Sequence, residues 1–354
     1  MDLRLSLNQI FRLAVVNGTD KTYIVRGPMG SGKSSIVLMA QEHFGDAYNC
    51  VTVDCTQWDV GDVQIPDVDK QRKVVEFLPN VLLVGDGTKP MFINFDEIGK
   101  ASRAVQNALL PVLLEHRVGA VPLPAGSIVV GATNLGAEGV GDMFPPHARN
   151  RVSFIEMRYP TVEEWVKWAV NHDVSPAVIH WAEENPKIFH SFKECENPKD
   201  NPYIFHPKEQ RESFVTPRSL YLASIELRDD RRAAVDDWSA TLAAVAGNIG
   251  VRAALDLVAS VELYDKLPRW SEIERNPDNA PLPHDASATM MVHRCVQKVT
   301  EDNIDAVLTY MQRMHKELQV MFATMVMRTR RLPWLARNRA FNVWTAENHW
   351  LLKA

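Results

Sequence analysis

Cysteine is scarce in this chain of 354 residues: Cys50, Cys55, Cys195 and Cys295 are the whole set, and no two form a C-x-x-C pair. That excludes a disulfide-built scaffold and fits a reducing compartment. No apolar run approaches membrane-spanning length, and Met1–Asn8 lacks the basic-then-apolar pattern of a secretory leader, so the cytoplasm is the expected location. Strong charge of either sign is missing too. A net charge of -5 argues against a chain coated throughout for nucleic acid, while leaving room for a local basic patch. There is no internal repeat and no low-complexity tract. What remains, 46% hydrophobic and 23% charged, is ordinary for a protein with a real core, and the length allows two domains or one with a substantial appendage.

One stretch stands out. Gly27-Pro28-Met29-Gly30-Ser31-Gly32-Lys33-Ser34 fits G-x-x-x-x-G-K-[ST] at every fixed position. Before it, Thr22–Arg26 is β-branched and apolar, hence strand-like; after it, Ser35–Glu42 has the composition of a helix. Glycines let the backbone turn its N–H groups around an anion, and the following helix N-terminus adds partial positive charge. The pattern assigns Gly27 through Ser35 to nucleotide binding, Lys33 to the β/γ-phosphates and the Ser34 hydroxyl to Mg²⁺.

The chain around this loop alternates strands and helices. Ser6–Val16 places Leu7, Ile10, Phe11, Ala14 and Val15 on one face of a helix. Further strands are predicted at Cys50–Cys55, Pro90–Phe95, Ser127–Asn134 and Val152–Met157, with a helix over Lys100–His116. Apolar strands alternating with helices predict a parallel sheet covered on both faces, an α/β fold. Trp58–Pro79 reads as an excursion from the core and Arg117–Pro124 as a hairpin. After Tyr159-Pro160 the character changes: Thr161 with Glu164 fits a capping box, and the rest is mostly helical with polar breaks at Asn185–Glu212 and Leu267–Ala286.

Hydrolysis needs more than a phosphate loop. Phe92–Phe95 delivers Asp96 and Glu97 to the end of a buried strand; Asp96 suits Mg²⁺ through water, and Glu97 suits polarising an attacking water. Asn134 closes the fourth strand, within reach of a γ-phosphate or the water. Arg149 and Arg151 precede the fifth strand, and Thr216-Pro217-Arg218 opens a helix with Thr216 as cap and Pro217 at its first position.

In this order the pieces resemble the AAA+ ATPases, in particular the MoxR branch with its CbbQ, NorQ and CobS-like members. The resemblance spans Thr22–Leu227 and rests on Asn94–Ile98, Val105–Leu110, Gly131–Asn134, Asn150-Arg151 and Thr216–Arg218. It implies an AAA+ P-loop core with a five-stranded parallel sheet of order 5-1-4-3-2, then a helical lid and a C-terminal helical extension. The expected boundaries are 1–159, 160–315 and 316–354. It implies ATP and Mg²⁺ as ligands and ATP hydrolysis as the activity. Asn134 is then sensor 1, Arg151 (preferred to Arg149) the finger reaching a neighbour's site, and Arg218 sensor 2. A six-membered ring is implied, remodelling a protein client with a partner that bears a von Willebrand factor A domain. The excursions at Trp58–Pro66 and Gly119–Gly126 match the family's pore-facing insertions, although Gln64 and Leu220 stand where relatives often carry Gly and Trp.

Two other function classes stay open. The span Arg328–Arg339 holds five arginines (Arg328, Arg330, Arg331, Arg337, Arg339) and no acid, followed by Phe341, Trp344 and Trp350. That composition suits a DNA- or RNA-dependent motor by phosphate pairing and stacking, or a tail docked in a groove. The CobS-like similarity implies a chelatase motor as the other alternative. His190, Cys195 and His206 fit no usual zinc spacing and are read as loop residues. Met311, Met314, Met321, Met325 and Met327 are read as the core side of a helix.

Overall fold

The computed structural model describes residues 3–134, 149–195, 197–329 and 333–348. Within these the chain forms two compact units, 1–159 and 160–354.

The first unit is a parallel sheet between helices. Ser6 caps helix α1 (Leu7–Asn17) in a capping box with Gln9. Strand β1 (Tyr23–Gly27) leads through the loop into a short 3₁₀ turn and helix α2 (Ile36–Phe44). Strands β2 (Asn49–Asp54), β5 (Met91–Asp96), β8 (Ile128–Asn134) and β9 (Ser153–Glu156) complete the sheet, whose order is β2-β5-β8-β1-β9. These labels count two hairpins that lie outside the sheet. With the five core strands numbered alone, the same order reads 5-1-4-3-2 from the β9 edge, as the AAA+ resemblance implies. Every pairing within the sheet is parallel.

Strand alternation sorts side chains to the two faces. Val25, Phe92 and Val130 meet Ile10, Phe11 and Ala14 of α1 and Ile36, Val37 and Ala40 of α2. On the opposite face Ile24, Ile93, Phe95 and Val129 pack against Val105, Leu109, Val112 and Leu113 of helix α5 (Arg103–Glu115). Leu5 adds a parallel bridge at Met157: its N–H donates to Glu156 (2.9 Å), and its carbonyl accepts from the Arg158 N–H (3.0 Å).

Several expectations shift. The helix predicted from Lys100 begins at Arg103, because Ser102 caps it by accepting from the Val105 N–H, and Ile98–Lys100 form a 3₁₀ turn instead. The Trp58–Pro79 excursion is rooted in the core. A single-turn helix α3 (Val60–Val63) buries Val63, a second, α4 (Val81–Val84), buries Leu83 just after the excursion, and only the antiparallel pair β3 (Gln64–Asp69) and β4 (Val74–Pro79) is exposed along most of its length. The second hairpin forms as β6 (Arg117–Val118) and β7 (Val121–Pro122).

The second unit is helical. Its first break is held by its own polar groups: buried His206 bonds the Cys195 carbonyl (3.2 Å), and Arg211 donates to the carbonyls of Asn201 (3.2 Å) and Pro198 (2.8 Å). Its helices include α6 (Val162–Ala169), α7 (Pro176–Glu184), α8 (Pro217–Glu226), α9 (Asp229–Val235), α10 (Trp238–Ile249), α11 (Val251–Asp265), α12 (Trp270–Arg275), α13 (Asp285–Lys298), α14 (Ile304–Gln312), α15 (Lys316–Arg328) and α16 (Arg339–Glu347). Both expected caps form, at Thr161 and Thr216. The proline-rich break is pinned by Arg313, which donates to the carbonyls of Pro277 (2.6 Å) and Ala280 (2.8 Å). The methionine stripe is corrected in part. It falls on two helices, α14 and α15, and on the turn between them; Met311 and, in the turn, Met314 are buried, whereas Met327 is exposed. Phe341 and Trp344 are buried and stack on each other, with Trp344 edge-on to Phe322 of α15, while Trp350, Arg330 and Arg331 lie outside the described residues.

Candidate functional site

Three neighbouring strands, β5, β8 and β1, end together, in the place where open parallel sheets bind ligands. Gly27 pairs in register with Asn134, and β5 ends at Asp96 beside them. The loop leaves β1 with Gly30 (φ +67°) and Gly32 (φ +92°) both left-handed, a conformation that a side chain would strain. Ser31 donates to the Pro28 carbonyl (2.7 Å), which closes the loop on itself.

Lys33 is 7% exposed. Its ammonium donates to the carbonyls of Gly27 (3.0 Å) and Pro28 (2.9 Å) and to Asn134 Oδ1 (2.8 Å). The other end of the Asn134 amide, Nδ2, donates to Glu97 Oε1 (2.8 Å). An ammonium can only donate and a carboxylate only accept, so these two partners fix which way the amide faces. Glu97 Oε2 lies 3.1 Å from Lys100 Nζ, an ion-pair distance without a directed hydrogen bond. Glu97 itself is left-handed at φ +52°, unusual for a residue with a side chain and frequent at functional turns.

Ser34 Oγ donates to Asp96 Oδ2 at 2.5 Å, and Asp96 Oδ1 accepts the Glu97 N–H at 3.0 Å. A hydroxyl and a carboxylate are hard oxygen donors of the kind Mg²⁺ takes, so the pair fits that ion. Among the described residues no group of three or more His, Cys, Asp or Glu could hold a metal. An ion here would therefore complete its shell with phosphate oxygens and water, as Mg²⁺ commonly does.

The sequence-predicted residues thus divide. Gly27 through Ser35, Asp96, Glu97 and Asn134 come together. Arg149 and Arg151 stand at the entrance to β9, both exposed, whereas Pro145–Ala148, read with them, lie outside the described residues. Arg218 belongs to the second unit, at the second position of α8. The sequence reading placed Gln106 in the AAA+ resemblance but assigned it no role; it is fully buried, and its amide holds the carbonyls of Ile98 (3.3 Å) and Ala101 (3.2 Å), fixing the turn after Glu97. The same reading passed over Tyr159, whose hydroxyl donates to the Met29 carbonyl in the loop (2.8 Å). A glutamine on an apolar helix face is a signal that could have found the first. Buried Cys55, whose N–H donates to the Asp96 carbonyl (3.0 Å), is no nucleophile: burial, then the charges of Asp54 and Asp96, push its thiol far up.

No family model matches the chain, and no curated protein matches it in sequence. Among solved structures it is similar to a point mutant of Thermotoga maritima RuvB (14% identity, 75% of this chain and 72% of that one, TM-score 0.37). It is also similar to a putative ATPase from Cytophaga hutchinsonii (13%, 73% and 90%, TM-score 0.35). A third is the Thermotoga maritima RuvB Holliday junction branch migration motor (14%, 72% and 67%, TM-score 0.33). No helix among the described residues is long and apolar enough to cross a membrane.

Proposed function

We propose that the chain is an AAA+ ATPase of MoxR type that hydrolyses ATP to ADP and phosphate in a ring and uses the cycle to remodel a protein client. The observation that carries this reading is the Asn134 amide, which joins the loop lysine to the strand-end glutamate across the ends of β1, β8 and β5. A lone phosphate loop binds nucleotide; a loop wired to a carboxylate through a third strand is equipped to couple phosphate to water.

In this reading the loop amides and Lys33 take the phosphates, Lys33 exchanging its two loop carbonyls for phosphate oxygens. As the ammonium moves to the phosphates it also releases Asn134 Oδ1 to face the reacting region, while Nδ2 keeps Glu97 in place. Glu97 accepts a proton from the attacking water, and Lys100 steadies its second oxygen. Mg²⁺, held by Ser34 and Asp96, would neutralise charge on the phosphate oxygens. Exposed Arg151 is assigned to a neighbouring subunit's site, and Arg218 to the phosphates as sensor 2; both assignments rest on the AAA+ resemblance. So do the six-membered ring and the von Willebrand factor A-domain partner.

The nucleic-acid motor is less well supported: Phe341 and Trp344, the aromatics that would stack on bases, are buried in the second unit. Phosphate release from Mg-ATP by wild type and by Lys33→Ala tests the proposal. Turnover by wild type that vanishes in the variant is expected; a wild type that releases no phosphate at any protein concentration would overturn it.

A further inference from the structure

We propose that Tyr159 is a positioning residue for the phosphate-binding loop, holding the Met29–Gly30 peptide in the orientation that offers the Gly30 N–H to phosphate. The inference rests on the loop being a phosphate site, and it concerns one peptide plane within it.

The Tyr159 hydroxyl donates to the Met29 carbonyl at 2.8 Å, across 130 residues of sequence. There is no cis peptide among the described residues. In a trans peptide the carbonyl and the following N–H point in opposite directions, so fixing Met29 O fixes the Gly30 N–H on the other side. That N–H meets no acceptor among the described residues. Gly30 has φ +67°, and glycine is the residue for which the opposite sign of φ is equally open. Sterics alone therefore do not decide which way this peptide faces. The hydroxyl supplies the decision.

The post that carries the hydroxyl is itself anchored. Just upstream, the Met157 N–H donates to the Arg26 carbonyl of β1 (2.7 Å), and the Arg158 N–H to Leu5 (3.0 Å). The Arg158 guanidinium donates to the Tyr159 carbonyl (2.9 Å), and Pro160 confines the backbone of the residue before it. A donor fixed by the same sheet that fixes the start of the loop can hold a peptide plane with little loss of its own freedom.

Tyr159→Phe removes the hydroxyl and keeps the ring. Affinities of wild type and variant for Mg-ATP, Mg-ADP and inorganic tripolyphosphate are compared by calorimetry, beside the thermal midpoint of the ligand-free proteins. The expected result is about three- to tenfold weaker binding of all three ligands, tripolyphosphate included, with the ligand-free midpoint nearly unchanged. Combined with Gly30→Ala, which acts on the same peptide, the two losses multiply to less than their product. Equal affinities in wild type and Tyr159→Phe, or strictly multiplicative losses, would overturn the inference while leaving the ATPase reading intact. A wild type that binds none of the three would bring down both.

Discussion

Ser34 and Asp96, sixty-two residues apart in sequence, share a hydrogen bond of 2.5 Å between the hydroxyl and one carboxylate oxygen. One sits at the foot of α2 and the other at the tip of β5, so the bond ties the phosphate loop to the strand that ends in the acidic pair. In the reading given above, this is where an ion would enter. Ser34→Ala should raise the Mg²⁺ concentration needed for half-maximal ATP turnover by about 10–100-fold, with the maximal rate approached at high Mg²⁺. A magnesium titration of phosphate release checks it, and an unchanged midpoint would remove Ser34 from the ion's shell.

Glu97→Gln keeps an oxygen for the Asn134 Nδ2 donor and loses the ability to take a proton, together with the charge that faces Lys100. ATP affinity should stay within about twofold, while turnover falls about 10²–10⁴-fold. Binding by calorimetry and single-turnover hydrolysis separate the two effects. Retained turnover would assign the water to another group.

Acid should loosen both units through half-buried histidines. Burial pulls His180 on α7 below its ordinary value, with Glu184 and Glu183 opposing and His293 adding to the effect; burial does the same to His116, opposed by Asp20. A histidine whose folded value is depressed binds its proton more tightly when unfolded. Its stabilising contribution is therefore present above the ordinary value near 6.5 and is lost as pH falls below it. Thermal midpoints measured from pH 7.5 to 5.5 should decline, and the decline should shrink in His116→Asn, a substitution that also tolerates the left-handed backbone at that position (φ +48°). An identical pH profile in the variant would exclude His116 as a contributor.

What the sequence made legible is what lies close together in it. The loop's eight residues, the strand before them and the Asp96-Glu97 pair announce themselves locally, and so do the caps at Thr161 and Thr216. The strand order came with the AAA+ resemblance, since no local pattern tells which strands are neighbours. Contacts across long separations left no trace. A tyrosine before a proline reads as a boundary, and nothing in its surroundings points to Met29. The start of α5 was misplaced because Glu97 takes a left-handed backbone and diverts the chain through a 3₁₀ turn before Ser102 can cap the helix. The methionines misled because one periodic stripe was laid over what is a turn at Arg313–His315 between two helices, which re-aims everything after it.

The bridge at Leu5 bears on how the protein is prepared. β9 is an outer strand of the sheet, and the short segment ahead of α1 bonds to its last residue and to the backbone just past it. Trimming that segment, or crowding it with a bulky affinity tag, would bare backbone donors and acceptors that another chain can pair with. Particles formed after such trimming could then be edge-to-edge stacks that mimic a functional assembly in size alone, so a purification handle is better placed away from this end.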